Sequence, residues 1–166
     1  MVERQERTAP DAVLTRIGQV VMLHHAGDRE EARRRLLDLW AELGEHGEPL
    51  HRCTLAHYLA DTQDDPSDEL AWDLRALSAA DEAEGDGQLR GFYPSLHLNL
   101  AADYVKLGRA EAARSHLHRA RGAAAALGDD GYGDGVRAAI SRLELRLGDD
   151  GDPGADSWGP PRQRPE

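Results

Sequence analysis

The sequence predicts an all-α fold of about seven helices, arranged as stacked antiparallel hairpins. Three observations carry this. Apolar residues recur at helical spacing through most of the chain, no stretch shows the sustained alternation or β-branched enrichment of a strand, and Gly, Pro and Asp punctuate the periodic segments every few turns.

Thr8-Ala9-Pro10-Asp11 starts the first helix. A threonine N-cap, an early proline and an acid three residues on answer the N–H groups of the first turn, and the helix should run from about 11 to 26 and stop at Gly27. Asp28 begins the second helix with Glu31 as its capping-box partner. Ala32, Leu36, Leu39 and Leu43 make its buried stripe before Gly44 ends it. Two helices joined by so short a turn lie antiparallel. The third helix covers about 50 to 63; Asp65-Pro66 breaks it and caps the fourth, which Leu70, Leu74 and Leu77 stripe to about 83. A Gly-rich joint, EGDGQLRG (84–91), follows. The third pair runs from Pro94 to Leu107 and from about Ala110 to Leu127, hinged at Gly108. A seventh helix, about 133 to 147, carries Val136, Ile140, Leu143 and Leu147 on one face. The helical domain thus spans 8–148, between an N-terminal segment (1–7) and a Pro- and Gly-rich tail (149–166), both expected to be disordered.

A domain of this length buries about 70% of its unfolded surface, enough for a real core. The formal net charge of −11 and pI near 5.1 argue against an electrostatic grip on nucleic acid, which needs Lys and Arg in excess on one face. They disfavour an anionic partner as well. Cys53 is the only cysteine, so neither an intrachain disulfide nor a four-cysteine zinc module can form. The longest apolar runs, VVML (20–23) and AAAAL (123–127), fall far short of the roughly 20 residues that cross a bilayer. The N-terminal MVERQERTAPDAVL alternates charges where a signal peptide needs an apolar segment, so the expected location is cytoplasmic.

Aligning the three hinges places Leu23, Leu59 and Tyr104 at equivalent sites of the first helices. Ala32, Leu70 and Ala113, then Leu36, Leu74 and Leu117, fall at equivalent sites of the second. In the third unit Asn99-Leu100-Ala101, Tyr104, Gly108, Ala113, Leu117 and Ala120 closely resemble the tetratricopeptide repeat, whose period is about 34 residues. Small side chains at Ala101, Ala113 and Ala120 let two helices approach, while Leu100, Tyr104 and Leu117 fill the space between hairpins. Unit one departs from the pattern at Gln19 and Val20, and unit two carries two extra residues around Thr62 to Pro66. The long second helix of unit three, through AAAALGDDGYGDG, is similar to the longer repeats of kinesin light chains. The resemblance covers roughly residues 12 to 147 and implies a right-handed α-solenoid whose first helices line a concave groove for peptides or partner proteins. It implies no catalysis.

The same resemblance implies which residues line that groove: Leu14, Ile17, Val21, His24 and His25 in unit one, and Leu50, Cys53, His57, Ala60 and Asp61 in unit two. Unit three contributes Ser95, Leu98, Asn99, Ala102, Val105 and Lys106. Of these, His24, His25, Cys53, His57, Asp61, Ser95, Asn99 and Lys106 carry the polar chemistry expected at a partner-binding site. The Lys and Asn clamp with which some members hold C-terminal carboxylates is represented only by Asn99 and Lys106.

Cys53, His57 and Asp61 share one helix face, and His24 or His25 facing them would complete a zinc-like set. A base beside Cys53 would also favour its thiolate. Against these readings, a lone cysteine is commonly a small buried hydrophobe. The chain has no oxyanion motif, phosphate loop, HExxH pair or calcium loop, so no enzyme activity and no cofactor are expected. HRCTLAHYLADTQDD (51–65) is denser in polar groups than packing requires, with Asp64 and Asp65 placed to stabilise the next helix N-terminus. Phe92 and Tyr93 read as a hydrophobic staple before Pro94, and Trp40 and Trp72 as packing.

The expected function is therefore a non-catalytic interaction module that binds a neutral or basic peptide or protein segment, with no nucleic-acid and no membrane partner. The alternatives are a metal- or small-molecule-binding protein or enzyme centred on Cys53, His57 and Asp61, and a homo-oligomer joined through the exposed ends of the stack.

Overall fold

The computed structural model describes residues 11–83 and 87–150. The expected Thr8 cap, the 1–7 segment and residues 151–166 of the tail lie outside the described residues. Eight helical segments follow in order: α1 (Ala12–His25), α2 (Arg29–Leu43), α3 (Pro49–Asp61), α4 (Pro66–Glu82), the single turn α5 (Gly87–Arg90), α6 (Tyr93–Lys106), α7 (Ala110–Ala124) and α8 (Gly131–Asp150). The described residues contain no strand, as an all-α sequence requires. Packing divides the chain into two compact units between Glu84 and Gly85, inside the Gly-rich joint.

In the first unit α1 packs on α2, α3 on α4, and α3 also touches α1 and α2. Asp11 is the N-cap of α1, its Oδ1 accepting from the backbone N–H groups of Val13 at 2.9 Å and Leu14 at 3.1 Å. The other carboxylate oxygen, Oδ2, lies 2.7 Å from His51 Nε2 of α3. One side chain thus starts a helix and ties it to the next pair. Ile17, Val20, Ala32, Leu36, Leu39, Leu55 and Leu59 form the core, with Trp40 and Trp72 packed on it edge to face, ring centroids 5.1 Å apart. The expected capping box at Asp28 and Glu31 does not form. Asp28 makes no side-chain cap bond, and the Glu31 carboxylate instead accepts from Arg34 Nε at 3.0 Å and Arg35 Nε at 2.9 Å. Those arginines hold it down to about 2.

The ends of the first helices of pairs one and three are built alike. At Gly27 (φ +99°) the N–H donates to the His24 carbonyl and that of Asp28 to Leu23; at Gly108 (φ +72°) the N–H donates to Val105 and that of Arg109 to Tyr104. The left-handed φ requires glycine at both positions. Pair two has no glycine there. Its Leu59 carbonyl, equivalent to those of Leu23 and Tyr104, accepts from Thr62 N at 3.1 Å, Thr62 Oγ1 at 2.7 Å and Gln63 Nε2 at 3.0 Å. Side chains do in this turn what a glycine does in the other two.

The structure corrects the register of α4. Leu74, expected in the buried stripe, is 38% exposed and Leu70 half-buried, while Asp73, Ala76 and Ala80 are buried. Counted from each N-cap, positions four, eight, eleven and fifteen are Ala32, Leu36, Leu39 and Leu43 in α2, and Ala113, Leu117, Ala120 and Ala124 in α7. In α4 they are Glu69, Asp73, Ala76 and Ala80. The turn of pair two is therefore one residue longer than the others, not two, and Asp73 stands where the other pairs place leucine. Asp65, the N-cap, accepts from Ser67 N at 2.7 Å as expected; Asp64 instead pairs with Arg29 of α2.

In the second unit α6 packs on α7, and α8 packs on both. The core is Ala101, Val105, Ala113, Leu117, Ala120, Ala124, Val136, Ile140 and Leu147. α7 ends at Ala124, earlier than the expected Leu127, and Arg137 braces that end. Its Nη1 reaches the Ala124 and Leu127 carbonyls at 3.3 and 3.4 Å, and its Nη2 reaches the Gly128 carbonyl at 2.9 Å. α8 begins at Gly131, two residues before its expected start, and runs to Asp150. Gly133 stands so close to the Gly128 carbonyl that no Cβ fits.

Candidate binding groove

α6 and α8 pack without closing. Between them lies an open groove of about 370 Å³, lined by Leu98, Asn99 and Ala102 of α6 and by Ala139, Arg142, Leu143 and Arg146 of α8. Its floor is apolar, and two arginines one helical turn apart stand on one wall. Both are exposed, and among the described residues neither makes an ion pair. The geometry suits an extended or helical segment that sets apolar side chains on the floor and polar or anionic atoms against the guanidinium groups.

Two structural devices position this groove. Tyr132, in the first turn of α8, has its hydroxyl 2.7 Å from Ser95 Oγ and donates to the Gly91 carbonyl at 3.2 Å, tying the start of α8 to α6. Arg137 anchors the loop from α7. Ser95, expected at the partner site, is thus engaged in holding the helices together.

The remaining expected site residues differ in burial and surroundings. Cys53 is fully buried, and burial pushes its thiol up to about 12, which runs against an activated thiolate. Ile17, Ala60 and Val105 are buried too, the first and last inside the cores of their units. His57 is half-buried. Burial lowers its pKa, and the nearby Asp61 charge opposes that shift. His24 and His25 lie at the end of α1 with ring centroids 5.9 Å apart, and Lys106 is exposed at the end of α6. Among the described residues no three His, Cys, Asp or Glu side chains converge as metal ligands.

The polar density of residues 51–65 has mostly structural uses. His51 bonds Asp11, Arg52 Nε donates to the Gly47 carbonyl at 2.7 Å and its guanidinium pairs with Glu82, and Thr54 Oγ1 donates to the Leu50 carbonyl at 2.7 Å. Thr62 and Gln63 cap α3.

A second polar cluster was not expected. His97 of α6 and His116 of α7 meet with their Nδ1 atoms 3.0 Å apart. The two imidazoles meet edge to edge, and Tyr93 lies beside His97 at 6.2 Å between ring centroids and Tyr104 beside His116 at 5.5 Å. Burial and the Arg119 charge lower the His116 pKa.

Comparison of the chain with protein-family models, curated proteins and solved structures gives no match. Sequence reasoning missed Arg142 and Arg146, although their spacing of four on a helix that already carried an apolar stripe was a readable signal. The described residues include no helix long and apolar enough to cross a membrane.

Proposed function

We propose that the chain is a non-catalytic, tetratricopeptide-like interaction module of the cytoplasm that binds a peptide or protein segment between α6 and α8. In this reading the helix pairs are antiparallel hairpins stacked as a right-handed solenoid, and α8 follows α6 as the next groove-lining helix. The single observation that supports it most is the open groove itself. Leu98, Asn99 and Ala102, which the repeat resemblance assigns to partner contact, line it opposite an arginine pair. The local field points to a different partner charge from the neutral or basic segment expected from the whole chain. Although the whole chain is acidic, Arg142 and Arg146 favour a segment with an acidic group next to apolar side chains.

A synthetic peptide library scanned position by position against the full chain tests this. The expected outcome is selection of Leu or Ile beside Asp or Glu, lost in the Arg142→Glu/Arg146→Glu double variant. Wild type that retains no peptide, or a charge-reversed variant with the same selectivity, would remove the reading.

A further inference from the structure

The groove between α6 and α8 lies close to where the chain leaves α8. Arg146 stands four residues before the end of that helix at Asp150 and Arg142 eight, which at the helical rise is about 6 and 12 Å. Residues 151–166 follow directly, with Asp156 six and Trp158 eight residues after Asp150. An extended chain of those lengths reaches up to about 20 and 26 Å, enough to turn back and lie along the groove. Asp152-Pro153-Gly154, at the start of such a return, are the residues that a type II turn favours at its first three positions.

Chemistry selects the same segment. The groove has an apolar floor at Leu98, Ala102 and Leu143 beside two exposed guanidinium groups that make no ion pair among the described residues. Like charges four apart on a helix repel, so an anion beside Arg142 and Arg146 is favoured although the whole chain carries a net charge of −11. From Gly151 to Pro161 the sequence holds two acids, Asp152 and Asp156, no Lys or Arg, and the aromatic Trp158. An acid two residues from a large apolar side chain matches both the floor and the guanidinium groups. Residues 1–10 carry arginines interleaved with acids and no aromatic, and so match neither.

We propose that Asp156-Ser157-Trp158 of the same chain is the resident occupant of the groove, its carboxylate against Arg142 and Arg146 and its indole on Leu98, Ala102 and Leu143, so that an outside peptide binds by displacing it. The displacement rests on the binding reading above; the contact of the segment with the groove does not. Tethering holds the segment at an effective concentration of about 1 mM. With a free-peptide Kd of about 0.1 mM the groove is then filled about nine-tenths of the time, and an outside peptide is weakened about tenfold.

Methyl and amide NMR of the full chain tests this by comparing wild type with Asp156→Ala/Trp158→Ala. Resonances of Leu98, Ala102 and Leu143 are expected to shift as the indole ring current is lost, those of Leu36 and Leu55 in the first unit are expected to stay, and the synthetic peptide GDPGADSWGP (151–160) added to the variant should restore the wild-type positions. Groove resonances that do not move would overturn the proposal, whether or not library peptides bind. A difference that fades as wild type is diluted would assign the occupant to a second copy of the chain and overturn it equally. Peptides selected from the library then read the displacement. Binding about tenfold tighter to the variant than to wild type is expected, and equal affinities would overturn the segment as a competitor. If the groove resonances shift yet no library peptide binds either protein, the reading of the groove as a site for outside segments fails and the contact within the chain stands.

Discussion

Gly133 and Gly135 sit two residues apart at the start of α8, and replacing each by alanine should move stability in opposite directions. Helix propensity favours alanine by about 1 kcal/mol at either site. A Cβ on Gly135 meets no heavy atom within 4 Å, so Gly135→Ala should stabilise by about 0.5–1 kcal/mol. A Cβ on Gly133 would lie 2.3 Å from the Gly128 carbonyl oxygen, 3.0 Å from Arg137 Nη2 and 3.3 Å from Asp130 Oδ1. That carbonyl is backbone, and the Arg137 guanidinium that also closes α7 holds it at 2.9 Å, so relief requires moving the loop and stretching those bonds. Overpacking of this kind costs about 1–3 kcal/mol, and a weakened charge-assisted hydrogen bond adds a comparable amount. Net of propensity, Gly133→Ala should lose about 2 kcal/mol. The two variants then differ by about 3 kcal/mol, or roughly 9 °C in melting temperature for a chain of this size. Differential scanning calorimetry of both in one buffer reads this directly. Melting temperatures within about 2 °C of each other would refute the close approach of Gly133 to the Gly128 carbonyl.

Three further outcomes are expected. Gly27→Ala and Gly108→Ala force a Cβ into the left-handed region and should each cost about 1–2 kcal/mol in urea titrations, while Gly18→Ala in α1, with nothing within 4 Å, should not destabilise. Cys53, buried and with its thiol pushed up to about 12, should resist Ellman's reagent in the folded protein and react once the chain is unfolded in urea. Asp11 has its pKa lowered, first by the His51 hydrogen bond and then by the Leu14 N–H, so its contribution is present above the ordinary carboxylate value and lost as pH falls through the folded one. Asp11→Ala should therefore lower stability by about 1 kcal/mol at neutral pH, as a lost N-cap does, and flatten the acid limb of the stability curve below about pH 4.

Local signals were legible wherever one residue's chemistry was sufficient. The left-handed ends at Gly27 and Gly108 could be read from sequence because glycine adopts positive φ without steric cost, and the start of α4 because Asp65-Pro66 supplies both a cap and a preset φ. The capping box at Asp28 failed because Glu31 had a stronger choice in Arg34 and Arg35, a competition that capping statistics do not contain. The polar run from His51 to Gln63 looked like a site, but its partners, Asp11, Gly47 and Glu82, are distant in the chain and reach it only through packing.

By itself, the sequence determined that the chain is helical and where most helices begin and stop, because helical periodicity and turn chemistry act within a few residues. The tertiary structure decided the buried face of α4, since one extra residue in a turn rotates a helix by about 100° and moves burial from Leu74 to Asp73. It decided that Cys53 is covered, that His97 meets His116, and that Arg142 and Arg146 overlook a groove. A polar helix face has the same sequence pattern whether it meets solvent, another ring or an open groove, and only the neighbouring helix tells them apart.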